Sequence, residues 1–320
     1  SLPRTLHLGT SSWSFPGWKG LVWAGDHSGS ALARGGLPGY ARHPMLRTVS
    51  LDRSFYRPLS ASEYAAYAAE VPEDFRFIVK APNLVCDALV RSVDGQGTRD
   101  NPAFLDPLLA NREFVQPALE GLGPKIGALV FQLSPLPPAR LARMDLVLGQ
   151  LAVMLAALPA LRPTAPEGVV AVEVRNPEFL TPAFASVLRD AGATYCLGLH
   201  PKLPPIADQL PLLRSLWPGP LVCRWSLHAR HGAYGYEDAK AGYQPFDRLV
   251  DPDPATREAL ARVIAGTAGS GLSVYVAINN KAEGSAPLSV IALAQAVARI
   301  FAQRPLTKSS IDGTERMFHK

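Results

Sequence analysis

Short apolar runs, several rich in β-branched residues, recur along the chain and alternate with stretches whose apolar residues return at helical spacing. Eight runs read as strands: residues 6–10, 48–52, 75–80, 128–133, 169–175, 194–200, 221–225 and 273–279. Strand–helix alternation is the signature of a parallel sheet covered by helices, and eight repeats predict closure into an α/β, TIM-like (β/α)8 barrel. Helix starts are marked by Ser60 with Glu63 three residues on, by Thr181 before Pro182, and by Ser285 shortly before Pro287. No linker or shift in composition divides the chain, so residues 1–306 are expected to form a single domain, followed by a polar tail over 307–320. Two less regular segments, 84–101 and 228–253, are expected to be lid or site loops.

Period two sorts the polar residues of each strand onto one side. In the fifth run Val170, Val172 and Val174 share a face, leaving Ala171, Glu173 and Arg175 on the other. In the third, Phe75, Phe77 and Val79 oppose Arg76, Ile78 and Lys80. The same split separates Asp52, Gln132, His200, Arg224 and Asn279 from Leu51, Phe131, Leu199, Cys223 and Ile278. The polar set belongs in the lumen, and it stands at the C-terminal ends of the runs, where such barrels carry their active sites. Lysine, glutamate and arginine are rarely buried without partners, so Asp52, Lys80, Glu173, Arg175 and Arg224 predict an ion-paired network open to a ligand. A purely structural network is the alternative, and Lys80 is expected to pair with Glu173 or Asp52.

With 320 residues, 48% of them apolar, the chain can bury a full core. Its formal charge of +5 permits anionic partners without demanding them, and no Lys/Arg run of the kind seen in nucleic-acid patches is present. Cys86, Cys196 and Cys223 are odd in number, two of them in strand-like runs, which predicts reduced, buried thiols and a cytoplasmic location. The N-terminal residues lack a signal-peptide pattern. The apolar window 141–161 is interrupted by Arg143, Asp145, Gln150 and Pro159 and predicts a packed helix, with no membrane partner.

The segments GTSSWSFPGWKG (9–20), RSFYRP (53–58), FRFIVKAP (75–82), GALVFQL (127–133), VAVEVRNPEFL (170–180) and INNKAEGSAPLS (278–289) resemble blocks of the domain-of-unknown-function 72 family. The resemblance spans nearly the whole chain. It implies a TIM-barrel-like fold, grouped near the xylose isomerase and endonuclease IV type barrels, and brings no established reaction. The matching positions are Thr10, Ser11, Trp13, Trp18, Tyr56, Lys80, Gln132, Glu173, Arg175, Arg224, Asn279 and Asn280, which overlap the lumen set. The chain departs from the family pattern at its second strand, where Ser50, Asp52, Arg53 and Ser54 replace a Glu-x-Asn-Ser-Thr block. It departs again after Arg224, where Trp225 and Ser226 replace an Arg-x-His-Gly pattern.

At the strand ends Lys80, Arg175, Arg224 and Lys281 outnumber Glu173 and Asp52, a balance suited to phosphate or carboxylate groups. Glu173, Lys80 and Asp52 are the candidates for acid/base work, with Arg175 keeping Glu173 ionised. Lys80, if desolvated or set beside another cation, also suits Schiff-base chemistry. Candidate ligand contacts are Arg175, Arg224, Asn279, Asn280, Lys281, Gln132, Trp13, Tyr56 and His200. An anion is expected where the loop 279–285 meets the next helix, with free N–H groups, Gly284, and Lys281 or Arg224 assisting. Trp13, Phe15, Trp18 and Trp23, with Lys19, form either a stacking platform for a sugar or base or a hydrophobic plug. Only His200, His228 and His231 fall near the catalytic face, too few for a multinuclear zinc site. No metal ligand is assigned, although a single divalent ion on Glu173, Asp52 or Glu283 stays compatible, and no organic cofactor motif is present. The pattern therefore predicts an enzyme of hydrolase, lyase or isomerase type acting on a small anionic or sugar-phosphate-like molecule. The alternatives are a nucleic-acid-binding or processing barrel, betrayed by salt-sensitive binding, and a ligand-binding barrel without turnover. Glu173→Gln is expected to abolish turnover while leaving stability little changed.

Overall fold

The computed structural model of the chain describes residues 2–92 and 96–303; the expected tail over 307–320 lies outside the described residues. Eight parallel strands close into a barrel: β1 (Leu6–Thr10), β2 (Thr48–Leu51), β3 (Arg76–Lys80), β4 (Ile126–Gln132), β5 (Val169–Glu173), β6 (Thr194–Leu199), β7 (Leu221–Trp225) and β8 (Val274–Ile278). Each strand pairs with the next in sequence and β8 returns to β1, with Leu6 opposite Val274 and Thr10 opposite Ile278. This is the (β/α)8 topology. Five strands stop one or two residues short of their expected ends, so Asp52, Leu133, Arg175, His200 and Asn279 stand just beyond β2, β4, β5, β6 and β8. Asp52 leads into the short helix Arg53–Tyr56.

The period-two pattern holds around the barrel. One buried cluster, Ile78, Ala128, Val130, Ala171, Cys196, Val222, Tyr275 and Ala277, fills the lumen, while the alternate residues, among them Phe77, Leu129, Phe131, Val172 and Val276, pack outward beneath the helices. The lumen residues are mostly small because an eight-stranded barrel has only enough interior for its own side chains. Tyr275 is the large exception. It fits because position 127 is glycine: a Cβ there would lie 2.8 Å from the Tyr275 ring. His7 stacks on that ring at 5.1 Å and the Tyr275 hydroxyl donates to Glu167 O at 3.0 Å, closing the N-terminal end. Burial, helped by Arg47 and Arg76, lowers the His7 imidazole to about 4, so this floor is neutral at physiological pH.

Ser60 and Glu63 form the expected capping box, and Thr181 accepts from Phe184 N ahead of the Pro182 helix. Ser285 does not behave as expected. Its buried hydroxyl has no hydrogen-bond partner, and the N–H of Ala286, which opens the helix Ala286–Gln303, donates instead to Asn280 Oδ1 at 2.8 Å. The same oxygen accepts Trp18 Nε1–H at 3.1 Å, so Asn280 ties the first loop to the last helix. Asn280→Ala orphans both donors in a buried place and should cost about 2–3 kcal/mol, lowering the melting temperature by roughly 4–8 °C. An unchanged melting curve would refute that role.

The other tryptophans of the first loop are equally committed: Trp13 Nε1 donates to Leu32 O (3.0 Å) and Trp23 Nε1 to Phe15 O (2.9 Å), and all three indoles are buried. The loop is a hydrophobic plug, and Lys19 turns away to Asp26. The helix Ala286–Gln303 is long and apolar enough to cross a membrane by composition, yet Val290, Leu293 and Val297 on it join the barrel's outer core. The helix Met144–Ala156, within the apolar window, buries Val147, Leu151 and Met154 in the same way. All three cysteines are free and buried.

The two irregular segments follow β3 and β7. The first carries the turn of helix Asn83–Cys86 and an antiparallel pair, Leu89–Arg91 with Gly97–Asp100. The second carries a 3-10 turn, Ala229–His231, and the helix Tyr236–Tyr243.

Candidate active site

Above the apolar lumen layer, one charged network ties four strands together. Glu173 lies at its centre, fully buried, with Oε1 paired to Arg175 and Oε2 accepting from Arg224 Nη1 at 2.7 Å. Gln132 Oε1 accepts from both guanidiniums, at 2.8 Å from Arg224 and 3.2 Å from Arg175. Arg224 reaches across to Asp52 Oδ2 at 3.1 Å, and Ser50 Oγ donates to Asp52 Oδ1 at 2.5 Å. Alternation explains the meeting: Ser50, Gln132, Glu173 and Arg224 all follow small or apolar lumen residues two positions earlier.

The network settles the protonation of its members. Burial alone would raise the Glu173 carboxyl, but Arg175 and Arg224 together outweigh it and hold it at about 2. Glu173 is therefore held as an anion between two guanidiniums. The sequence put Arg175 and Arg224 in one lumen network with it; in the structure Arg224 reaches it from β7, two strands away.

Lys80 corrects a second expectation. Among the described residues no carboxylate comes within ion-pair reach of its ammonium, which sits 3.9 Å from the centroid of the Phe55 ring. Glu173 is saturated by arginines, and Asp52 is held by Arg224 and Ser50. Burial lowers the Lys80 pKa to about 8; Asp52 opposes the shift and Arg224 adds to it. His200, just beyond β6, is likewise lowered to about 4, by burial and then by Arg175; its Nδ1 accepts from Lys202 N at 3.0 Å. Tyr236 lies over this corner, with its ring 5.6 Å from His200.

The remaining candidates are not part of the network. Asn279 Oδ1 accepts from Lys281 N at 3.0 Å, within its own turn, and Asn280 is the structural tie described above. The Lys281 ammonium stands 5.5 Å from the Tyr236 ring centroid. Tyr56 is on the surface, 76% exposed. Trp13 borders a separate cavity beside Asp52.

The expected anion pocket on the loop 279–285 is not formed as predicted. Gly284 N–H donates to Asn280 O (2.8 Å) and Ala286 N–H to Asn280 Oδ1, so those donors are spent. Val250 N and Asp251 N donate to Glu283 O, sealing the turn from outside. Gly284, at φ +117°, is forced by that seal, since a Cβ would meet Arg248 O at 2.6 Å. Glu283 is buried, its Oε1 accepting from Asp253 N (2.6 Å) and Arg257 Nε (2.9 Å). Among the described residues, no three His, Cys, Asp or Glu side chains converge as a metal site.

Ser50 stood out in the sequence only as a departure from the family pattern, and Phe55 and Tyr236 were not singled out. Ser50 shares parity with Asp52 and could have been found that way; Phe55 and Tyr236 lie on helices whose approach to the mouth has no periodic signal.

A (β/α)8 barrel with a buried ionic network across the C-terminal ends of its strands defines the class. The chain belongs to the family described as "Protein of unknown function DUF72", whose model matches residues 7–310. Two solved relatives share the fold. A DUF72 family protein from Enterococcus faecalis V583 superposes with a TM-score of 0.59 at 17% identity, covering 92% of this chain and 95% of its own. A DUF72 family protein from Thermotoga maritima MSB8 gives 0.57 at 20% identity, covering 92% and 99%. No curated protein matches the chain.

Proposed function

We propose that the barrel mouth binds a small anionic molecule and that Lys80 transfers a proton to or from it, the acid/base chemistry of a lyase or isomerase. The observation that carries this reading is the missing counterion. Among the described residues Lys80, Arg175 and Arg224 meet two carboxylates, both engaged by arginine, while the Lys80 ammonium, on a largely buried side chain, lies beside the Phe55 ring. A buried cation without a partner is costly, and an anion from solution relieves that cost. Phosphate or carboxylate oxygens suit the cation-rich mouth.

A lysine held near 8 is matched to proton transfer at physiological pH, where it can give up a proton and take it back. Asp52, whose side chain is 32% exposed against 0% for Glu173, is the carboxylate that substrate can reach. It is placed to accept a hydroxyl proton. Gln132 and Glu173 hold Arg224 and Arg175 in their places.

Calorimetric titration with gluconate at pH 7 tests the reading. Lys80→Met should weaken binding at least about tenfold, the loss of one charge-assisted contact. Equal affinities in the two proteins would overturn it.

A further inference from the structure

We infer that the cavity between the first two βα loops holds the far end of the substrate and that this end is phosphorylated, so that the substrate class is a phosphorylated polyhydroxy carboxylate. The inference rests on the anion reading of Lys80 and extends it to a second set of residues. The cavity, about 450 Å³, opens beside Asp52 and is large enough for a small ligand. Asp52 is the hinge between the two regions: it borders the cavity, binds Arg224, and is the carboxylate that acts most strongly on Lys80.

Three features give the cavity its chemistry. Its lining includes five serines, Ser11, Ser12, Ser14, Ser30 and Ser50; the Ser50 proton is held by Asp52, but each hydroxyl keeps acceptor capacity for the hydroxyl groups of a ligand. Trp13 and Tyr67, packed edge-to-face with the Trp13 N–H spent on Leu32 O, form the apolar part of its lining. At the rim stand Arg34 and Arg53. Both are exposed, and among the described residues neither has a carboxylate within ion-pair reach. Two unpaired guanidiniums on one rim match the geometry of a phosphate, which takes guanidinium forks more specifically than ammonium groups. The carboxylate end then reaches Lys80 past Asp52, and the hydroxyls between them meet the serines.

Calorimetry with gluconate and 6-phosphogluconate tests this, using the whole chain. The wild type should bind 6-phosphogluconate at least about tenfold more tightly than gluconate. Arg34→Ala combined with Arg53→Ala should erase that advantage and leave gluconate affinity unchanged, and both arginines are exposed, so the variant keeps its core. Equal affinities for the two probes in the wild type, or an advantage that survives the double substitution, would overturn the inference while leaving the Lys80 reading intact. Gluconate binding that ignores Lys80→Met would instead overturn the reading on which it rests.

Discussion

Glu173→Gln melts roughly 6–12 °C below the wild type, a loss of about 3–5 kcal/mol, because it leaves buried Arg175 without its carboxylate and Arg224 with Asp52 alone. The expectation from the sequence was the reverse, a variant dead but stable. It assumed a carboxylate waiting for substrate. The structure shows both oxygens already bonded, with nothing to relieve. The pH dependence follows from the same pairing. The folded carboxyl titrates at about 2 against an ordinary 4.5, so its contribution, about 3 kcal/mol, is complete above pH 4.5 and is lost as pH falls from there through 2. Thermal melts of the wild type and Glu173→Gln at pH 3, 5 and 7 should therefore converge toward acid. Parallel curves would show that Glu173 does not hold the arginines.

Lys80→Met has the opposite effect on stability. The lysine is lowered to about 8 in the fold against an ordinary 10.5, so between those values the unfolded chain holds the proton that the folded one has lost, and below pH 8 the fold carries the full cost of a buried ammonium. A depressed base destabilises the fold at neutral pH, and the penalty lifts as pH rises from 8 to 10.5. Methionine removes the charge, keeps an unbranched chain against Phe55, and gives up a cation–π contact of about 0.5–1 kcal/mol. The net gain at pH 7 is about 2 kcal/mol, a rise of roughly 4–6 °C. Greater stability together with lost anion binding is the signature of a residue kept for function. A destabilised Lys80→Met would mean that the ammonium is part of the scaffold.

The barrel was legible because its evidence is local and repeated. Strand parity put Ile78 and Lys80 on one side and Phe77 and Val79 on the other, and the two buried clusters divide along that line. Parity also assembled Asp52, Gln132, Glu173 and Arg224 at one end. It could not say which cation meets which carboxylate, since that depends on distances across the lumen, and so Lys80 was given a partner it does not have. The loop 279–285 misled for a related reason. Its glycine, its polar residues and the helix after it look like an anion cradle, but the segment 248–251, some thirty residues away in sequence, covers it. Asn280 matched a family block without revealing that its oxygen holds an indole and a helix start.

The proposed chemistry requires that Lys80 be a desolvated cation that meets its anion only when the ligand binds. Heteronuclear NMR of the lysine side chains, with Lys80→Met to assign the resonance, measures it directly. Lys80 should titrate near 8 in the free protein, and saturating gluconate should move that midpoint upward as the missing counterion arrives. A midpoint at the ordinary 10.5, unmoved by gluconate, would contradict the account.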